Sequence, residues 1–200
     1  MLTFNDNDMR QNIYLYNDVI IDAGASPADI KAISEAINKS GTKIKAILLT
    51  HGHYDHLIGV QELKAITNAG AETGVEICCH KAEKQLLENG DLNLSSFRDL
   101  GKIELTPDRT FEDGDKFGNL KIIHTPGHTA GGVCYYDEKA KILFSGDTLF
   151  KGDIGRTDLP TGDYETLVRS IRTQLLTLPA ATKVYPGHGP SFVIGEERLS

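Results

Sequence analysis

Residues 47–59 read Ile-Leu-Leu-Thr-His-Gly-His-Tyr-Asp-His-Leu-Ile-Gly, a short apolar run followed at once by His51, His53, Asp55 and His56. The loop therefore offers four nitrogen or oxygen donors within six residues. Soluble surfaces carry histidines singly, and solvation does not explain four potential ligands in one loop. Imidazole and carboxylate groups together suit Zn, Fe and Mn rather than Ca or Mg. The stretch thus predicts a metal site and leaves the choice among these three metals open.

The residues around this loop predict a strand before it and a helix after it. Residues 43–49 alternate and then run apolar, as a buried strand does, and residues 57–69 carry apolar side chains at helical spacing. The donors then lie in the turn between the two elements. On extended chain His51 and His53 point the same way, and Gly52 lets the backbone bend between them.

Length and composition indicate one ordinary domain over residues 1–200. Two hundred residues suffice for one substantial core, and a second domain of ordinary size would not fit comfortably. Hydrophobic residues make up 40% and charged residues 24% of the chain, as in a typical globular protein. The formal charge of −7 argues against nucleic acid as the main partner, because phosphate binding needs a basic face.

The cysteines and the first residues predict a cytoplasmic protein. Cys78, Cys79 and Cys134 are odd in number, two are adjacent, and none has zinc-finger spacing, so a reducing compartment is the simplest setting. The first eight residues show no basic segment followed by an apolar stretch, so we expect no signal peptide. No apolar run approaches the ~18 residues of a membrane span, so we expect no membrane partner. The sequence carries no signal for an oligomeric state.

The remaining elements follow from periodicity and turn residues. Ser26 is a predicted N-cap, Pro27 takes the first helical position and Asp29 supplies an acid in the first turn. The predicted helices are residues 26–38, 57–69, 81–87 and 163–178, and the predicted strands are residues 12–16, 19–21, 43–49, 75–79, 120–125, 132–136, 141–144 and 183–185. Residues 91–107 have weak periodicity and are a candidate lid or loop.

Strand-like runs end in candidate ligands four times along the chain. The first such run precedes His51, and the others precede His128, Asp147 and His188. If these strands end beside one another at one sheet edge, their donors come together there. The pooled set is His51, His53, Asp55, His56, His128, Asp147 and His188.

Seven donors exceed one tetrahedral site and match two metal ions that share a carboxylate and a water. Such ions lie ~3.5–4 Å apart. A glycine directly before His128, before Asp147 and before His188 allows close backbone approach. The alternative is that His128 and His188 are ordinary loop histidines, and the metal interpretation is favoured because most histidines of the chain lie in such glycine-flanked loops.

These motifs resemble a known family. Thr-His-Gly-His-Tyr-Asp-His at residues 50–56 matches the Thr-His-x-His-x-Asp-His signature of the metallo-β-lactamase-fold hydrolases. The order of Thr-Pro-Gly-His-Thr, Ser-Gly-Asp-Thr-Leu-Phe and Pro-Gly-His-Gly-Pro is similar to that of the glyoxalase II branch. Residues 154–163 resemble the short bacterial glyoxalase II-like hydrolases more than the longer enzymes. The resemblance spans nearly the whole chain.

The resemblance implies both a fold and a division of the donors. The fold is an α/β four-layer αββα sandwich in a single domain, with two mixed sheets face to face and helices outside. The implied ligands of the first metal are His51, His53 and His128. Those of the second are Asp55, His56 and His188, with Asp147 bridging the two ions.

The resemblance further implies hydrolysis of a small-molecule acyl thioester such as S-lactoylglutathione. The implied cofactors are two divalent metal ions, with Zn expected first and Fe or Mn as alternatives. A metal-bridging hydroxide attacks the carbonyl, and Asp55 both ligates and orients this nucleophile. In the longer enzymes a helical glutathione-binding domain follows the last metal histidine, whereas twelve residues follow His188 here. We therefore expect no such domain, and another acyl thioester or an ester is an alternative substrate.

Two further residues have alternative interpretations. Asp22 occupies the position of an acid that fixes a ligand imidazole by hydrogen bonding, and equally the position of a turn or helix-entry residue. Arg156 lies where the longer glyoxalases have a basic residue that contacts the substrate, so it is a candidate carboxylate binder. An ion pair of Arg156 with Asp158 or Asp163 is the alternative.

Two histidines are predicted to lie outside the metal site. His124 sits inside a predicted strand, where its spacing of four from His128 has no special geometry. His80 follows two cysteines, but adjacent strand residues face opposite ways. Buried cysteines and a histidine at a helix start are therefore favoured over a Cys/His site.

Other functions of the same fold are weaker matches to the sequence. A mononuclear-iron persulfide dioxygenase binds its iron with two histidines and one aspartate. Ile154 and the Leu-Pro after Asp158 argue against membership of that group. A phosphodiesterase acting on RNA would want an exposed basic arm. A β-lactamase would usually carry a signal peptide. A non-catalytic binding module would usually have lost some ligands, and this chain keeps all seven.

Overall fold

Two six-stranded mixed sheets organise this computed structural model, which describes residues 1–68, 74–98 and 101–197. The first sheet contains, in spatial order, β1 (Leu2–Phe4), β2 (Ile13–Tyr16), β3 (Val19–Ile21), β4 (Ala46–Leu48), β5 (Glu76–His80) and β6 (Arg109–Phe111). The second contains β7 (Lys116–Phe117), β8 (Leu120–His124), β9 (Val133–Asp137), β10 (Ile142–Gly146), β13 (Lys183–Pro186) and β14 (Phe192–Val193). A separate hairpin joins β11 (Leu149–Phe150) to β12 (Asp153–Ile154).

The helices are α1 (Pro27–Ser40), α2 (Val60–Asn68), α3 (Lys84–Leu87) and α4 (Tyr164–Ser170). Short 3₁₀ turns form at Tyr54–His56, Lys81–Glu83, Ser95–Phe97 and Ile194–Glu196. The start of α1 is as predicted: the Ser26 side chain accepts a hydrogen bond from the Asp29 amide, and Asp29 in turn accepts one from the Ser26 amide. Gly41, in the left-handed conformation at φ +67°, ends the helix.

Strand alternation divides the core into three layers of apolar side chains. Along β2, Ile13 and Leu15 face α1 and α2, whereas Tyr14 and Tyr16 face the second sheet. Between the sheets pack Val19, Ile21, Leu48, Phe111, Ile122, Val133, Tyr135 and Phe144. The far face of the second sheet packs on α4 through Leu167 and Ile171. The chain is therefore a single-domain αββα sandwich, as the resemblance implied.

Strand directions bring several carboxyl ends to one edge of the sandwich. In the first sheet β3, β4 and β5 run parallel. In the second sheet β8 and β10 are each antiparallel to β9 and so run the same way, and β13 is parallel to β10. Across the sheets, the Tyr135 hydroxyl donates to the Leu49 carbonyl at 2.7 Å, and the Val133 amide donates to the Thr50 carbonyl at 2.9 Å. Parallel strand ends in both sheets thus frame one cleft.

The last helix differs from its prediction as one continuous helix over residues 163–178. Asp163 is its N-cap, α4 ends at Ser170, and residues Ile171–Leu175 form a wider π turn. Leu167, Ile171 and Leu175 recur every four residues, an interval longer than the 3.6 residues of an α-helical turn. The wider turn keeps all three fully buried.

Other predicted boundaries shift by a few residues. The strand predicted at residues 43–49 is β4 at Ala46–Leu48, and the helix predicted at residues 57–69 begins at Val60, after the 3₁₀ turn. Its predicted last residue, Ala69, lies outside the described residues. The helix predicted at residues 81–87 is a 3₁₀ turn followed by α3.

The cysteines are free and buried, as the odd count predicted. Cys78 packs between the sheets and Cys79 packs under the helices, on opposite faces of β5. None of the helices in the described ranges is long and apolar enough to cross a membrane.

Candidate metal centre

All seven predicted donors lie together at this edge of the sandwich. The candidate ligands form three groups, and within each group the ligand atoms lie within 4.8 Å of one another. The groups are His51, His53 and His128; His51, His56 and Asp147; and Asp55, His56 and His188. The first and third groups are the two metal sets implied by the resemblance. The sequence therefore predicted which side chains would meet.

Asp147 stands between the two sets. Its carboxylate oxygens lie 3.4 Å from Nε2 of His56, 3.6 Å from Nε2 of His188 and 3.9 Å from Nε2 of His128. On the second side of the site, Oδ2 of Asp55 is 3.2 Å from Nε2 of His188. One carboxylate thus lies within 4 Å of histidines of both sets.

The unpaired atoms of the site fit divalent cations. Nε2 of His51, His53 and His56 and Oδ1 of Asp147 are buried and lack a hydrogen-bond partner. Nδ1 of His53 faces Nε2 of His128 at 2.9 Å. Leaving a buried polar atom unsatisfied costs about 1–3 kcal/mol, so unpartnered atoms on four residues of one cluster are costly unless something binds there. Nitrogen and carboxylate donors suit Zn, Fe or Mn. The residues present therefore fit the metal ions implied by the sequence.

Electrostatics keep the first set of histidines in the form that binds metal. Burial and the neighbouring histidines lower the pKa of His51 well below its usual value. Burial together with His128 lowers the pKa of His53 to about 3, and burial also lowers the pKa of His128. All three imidazoles are thus neutral at pH 7 and keep a lone pair for a cation.

The second set carries more negative charge. Burial acts to lower the pKa of His56, but the carboxylates of Asp22, Asp147 and Asp55 outweigh it and raise that pKa well above its usual value. Burial acts to raise the pKa of Asp147, but His56, His128 and His188 lower it overall. Three carboxylates around one buried imidazole form a site that attracts positive charge.

Asp22 fixes the ligand loop through Thr50, whereas the predicted hydrogen bond between Asp22 and a ligand imidazole is not formed. The Thr50 amide and hydroxyl each donate to the Asp22 carboxylate at 2.8 Å. Nδ1 of His56 lies 2.9 Å from Oδ2 of Asp22, but the two groups are not oriented for a hydrogen bond. Nδ1 of His51 lies 3.2 Å from the Thr50 hydroxyl. Asp22 itself has a left-handed backbone at φ +55°, which only a well-supported position tolerates.

Arg156 reaches the site through its backbone. Its carbonyl oxygen lies 2.7 Å from Nδ1 of His128 and so orients that imidazole. Its guanidinium forms a two-point ion pair with Asp158, at 2.8 and 2.7 Å, on the exposed surface. This is the ion pair that the sequence offered as the alternative, and a contact with substrate stays a prediction.

The loop that carries His188 is tied to the start of β2. The Asn12 amide donates to the Gly187 carbonyl at 2.7 Å, and the Asn12 side chain donates to the carbonyls of Pro186 and Gly189 at 3.0 and 2.8 Å. Gln11 forms a β-bridge with His188. The last predicted donor is thus held by the first sheet as well as by the second.

Part of the candidate lid at residues 91–107 is hydrogen-bonded to the ligand loop. The Tyr54 amide donates to the carbonyl of the fully buried Asn93 at 3.0 Å, and the Asn93 side chain donates to the Ile103 carbonyl at 2.7 Å. Residues 99 and 100 of this segment lie outside the described residues. The described part packs as an irregular loop with one 3₁₀ turn, Ser95–Phe97.

His80 and His124 lie outside the donor cluster, as predicted. They end β5 and β8, and their rings stack 3.9 Å apart at 18°. His80 also accepts a hydrogen bond from the Ala82 amide, in the role of a cap. Burial, His124 and Lys81 lower the pKa of His80 to about 4.

Sequence reasoning missed Glu83, a buried carboxyl next to the ligand loops. It accepts hydrogen bonds from the Gly52 amide, the Gly131 amide and the Thr129 hydroxyl. A Glu among lysines at a helix start has the pattern of a solvated residue, so nothing in the local sequence marks it as buried. The glycines at 52 and 131, which leave room for it, were the available sign.

A four-layer sandwich with a buried His/Asp cluster at its open edge defines the class of metallo-hydrolases. The sequence profile of the metallo-β-lactamase superfamily matches residues 7–188, and the chain belongs to that superfamily.

Individual relatives agree with this family. The chain is 38% identical over 191 residues to the hydroxyacylglutathione hydrolase GloC of Haemophilus influenzae, covering 92% of this chain and 85% of that protein. Among solved structures it is similar to the BLEG-1 B3 metallo-β-lactamase, with a TM-score of 0.85, 36% identity and coverage of 98% and 94%. It is equally similar to TTHA1623 in a di-iron-bound form, with a TM-score of 0.85, 33% identity and coverage of 98% and 96%.

Proposed function

We propose that this chain is a binuclear-metal hydrolase that cleaves a small-molecule acyl thioester of the S-lactoylglutathione type. The observation that carries the proposal is the pair of three-donor sets that share Asp147. A relative at 38% identity named hydroxyacylglutathione hydrolase supports the choice of substrate. A relative in a di-iron-bound form supports two ions and leaves Zn, Fe and Mn all to be tested.

In this proposal the two donor sets and Asp147 hold the ions. His51, His53 and His128 would hold the first, and Asp55, His56 and His188 the second. When bound, such a pair lowers the pKa of a shared water and polarises a substrate carbonyl.

Asp55 is the residue that we assign to proton handling. Burial acts to raise its pKa, but His56 beside it and a hydrogen bond with His188 lower that pKa overall, so Asp55 is ionised at neutral pH. One oxygen lies beside His188, and the carboxylate accepts and orients a water proton. Water then adds to the thioester carbonyl, the C–S bond breaks and the thiol leaves with that proton. Asp55 therefore serves as both ligand and base.

The thiols of the chain do not supply a nucleophile. Burial raises the pKa of Cys78 and of Cys79 to about 12 and that of Cys134 to about 11. All three are buried in apolar layers, so the thiolate needed for covalent attack does not form at neutral pH. Attack by water is the route that the site supports.

A β-lactam amide is a second candidate substrate because a relative at 36% identity is named a B3 metallo-β-lactamase. A persulfide dioxygenase is less well supported, because a single iron bound by two histidines and one aspartate would leave four of the seven donors without that role.

The test reconstitutes the metal-free protein separately with Zn, Fe and Mn. Loss of S-lactoylglutathione is followed for each form, with a β-lactam substrate and oxygen uptake on glutathione persulfide as parallel channels. We expect rapid thioester loss without oxygen uptake. Negligible thioester loss in all three forms would overturn the proposal. Turnover of the β-lactam or oxygen uptake on the persulfide would then identify the alternative activity.

A further inference from the structure

Glu83 lies between the two loops that carry the first donor set. It is 1% exposed and sits at the end of the 3₁₀ turn that follows β5. One loop contributes His51 and His53 and, further along, Asp55 and His56 of the second set. The other loop contributes His128. Burying a carboxyl group is unfavourable, so a residue that only filled space here would be expected to be apolar.

Each oxygen of Glu83 is used by a different loop. Oε1 accepts a hydrogen bond from the Gly52 amide at 2.7 Å, and Gly52 is the residue between His51 and His53. Oε2 accepts from the Gly131 amide at 2.8 Å and from the Thr129 hydroxyl at 3.0 Å, directly after His128. The carboxylate thus bridges the two backbones with three neutral donors.

Both loops lie too close to this turn to carry side chains at the contact points. A Cβ at residue 131 would lie 2.3 Å from the Glu83 amide nitrogen and 2.6 Å from Oε2. A Cβ at residue 52 would lie 2.7 Å from Cδ1 of Leu87. The absence of side chains at these two glycines therefore leaves the space that Glu83 occupies.

We propose that Glu83 is a positioning residue that sets the spacing of His51, His53 and His128 for the first metal ion. The inference rests on the proposed function only for the identity of these three ligands. Glu83 makes no hydrogen bond to Asp55, His56 or His188. Glu83 holds each loop next to a ligand of the first set, so the first ion depends on Glu83 more strongly than the second.

The test compares Glu83→Gln with Asp137→Asn. A glutamine has one acceptor oxygen, so it can serve the Gly52 amide or the Gly131 amide but not both. Asp137 is a matched control because it is 3% exposed and accepts from the Tyr16 hydroxyl and the Ala140 amide, both at 2.9 Å, at the end of β9. Glu83→Asp is the second variant: it keeps the carboxyl group but is too short to reach both loops.

Metal content is measured against increasing chelator, and amide hydrogen exchange is measured on the metal-free protein. We expect about 10–100-fold weaker binding of one ion of the pair in Glu83→Gln. Exchange at Gly52 or Gly131 should accelerate, and Asp137→Asn should keep wild-type affinity for both ions. If Glu83→Gln fails to fold, Glu83→Asp is expected to show the same loss.

Three results would overturn the inference. They are wild-type affinity for both ions in the folded Glu83 variants, equal weakening of both ions, or unchanged exchange at both glycine amides. Neither readout uses a substrate. A protein that fails to hydrolyse thioesters therefore refutes the proposed function while leaving the role of Glu83 testable.

Discussion

Replacing Gly187 with alanine should damage the metal site while sparing the fold. A Cβ at this position would lie 2.2 Å from Oδ1 of Asp147 and 2.8 Å from Cε1 of His56. The backbone of Gly187 is not left-handed, so alanine brings a steric conflict and no backbone strain. The conflict falls on the bridging carboxylate and on one imidazole of the second set.

The size of the displacement follows from these distances. An ordinary contact begins near 3.4 Å, so Asp147 or residue 187 must move by about 1.2 Å. Metal–ligand distances are held within about 0.2 Å, and a misplacement of about 1 Å costs on the order of 10²-fold in rate. We therefore expect kcat to fall about 100-fold and the bound metal to fall below two ions per chain. The new Cβ would also lie 3.2 Å from the Gly146 backbone carbon, so the unfolding free energy of the metal-free protein should fall by about 1–3 kcal/mol, as for other overpacked sites.

Gly189→Ala is the control in the same loop. A Cβ there meets nothing within 4 Å, and the residue has φ +76°. That variant should lose about 1 kcal/mol of stability from the left-handed backbone and keep both ions. Metal analysis, thioester kinetics and urea unfolding of the two variants separate the effects. Two bound ions and wild-type kcat in Gly187→Ala would refute the steric reasoning.

Three further outcomes are expected. His128→Ala should lower both metal content and thioester activity, whereas His124→Ala should leave metal content near normal; full activity in the first variant would contradict the ligand assignment. Thr50→Val removes the hydroxyl that donates to Asp22. In urea unfolding we expect the unfolding free energy to fall by about 1–3 kcal/mol. In chelator competition we expect about tenfold weaker metal binding. Folding lowers the pKa of His80 from 6.5 to about 4, so between these pH values the unfolded chain binds a proton at His80 more readily than the folded one. The stability that neutral His80 provides above pH 6.5 is therefore lost as the pH falls through 4. Metal-free His80→Gln should therefore show a flatter dependence of unfolding free energy between these pH values, and a slope equal to that of the wild type would contradict this.

The donor set could be predicted because each donor follows a strand. Short apolar runs fix where strands end, and parallel ends share an edge, so the sequence alone predicts that His51, His128, Asp147 and His188 meet. Asp22 was singled out by the family resemblance, and the sequence left a turn or helix-entry role equally open. The layer order of the sandwich, by contrast, came from family resemblance, because alternation alone does not tell which sheet a strand joins.

Features that depend on contacts distant in sequence were not predictable. Glu83 is buried because Gly52 and Gly131, 31 and 48 residues away, leave it space. The π turn after Ser170 depends on how Leu175 meets the second sheet, and a helical pattern does not specify one extra residue in a turn. Strands of two or three residues, such as β6 and β7, carry too few side chains for a period to show.

The hydrogen bonds from Asn12 to the His188 loop join residues up to 177 positions apart. During synthesis the segments that carry His51, His53 and His128 leave the ribosome well before this contact can form. On the proposed ligand assignment, a growing chain has the first donor set some 60 residues before it has the second. His128 meets the Arg156 carbonyl that orients it only 28 residues later, and His188 is held in place only when the segment around Asn12 contacts its loop.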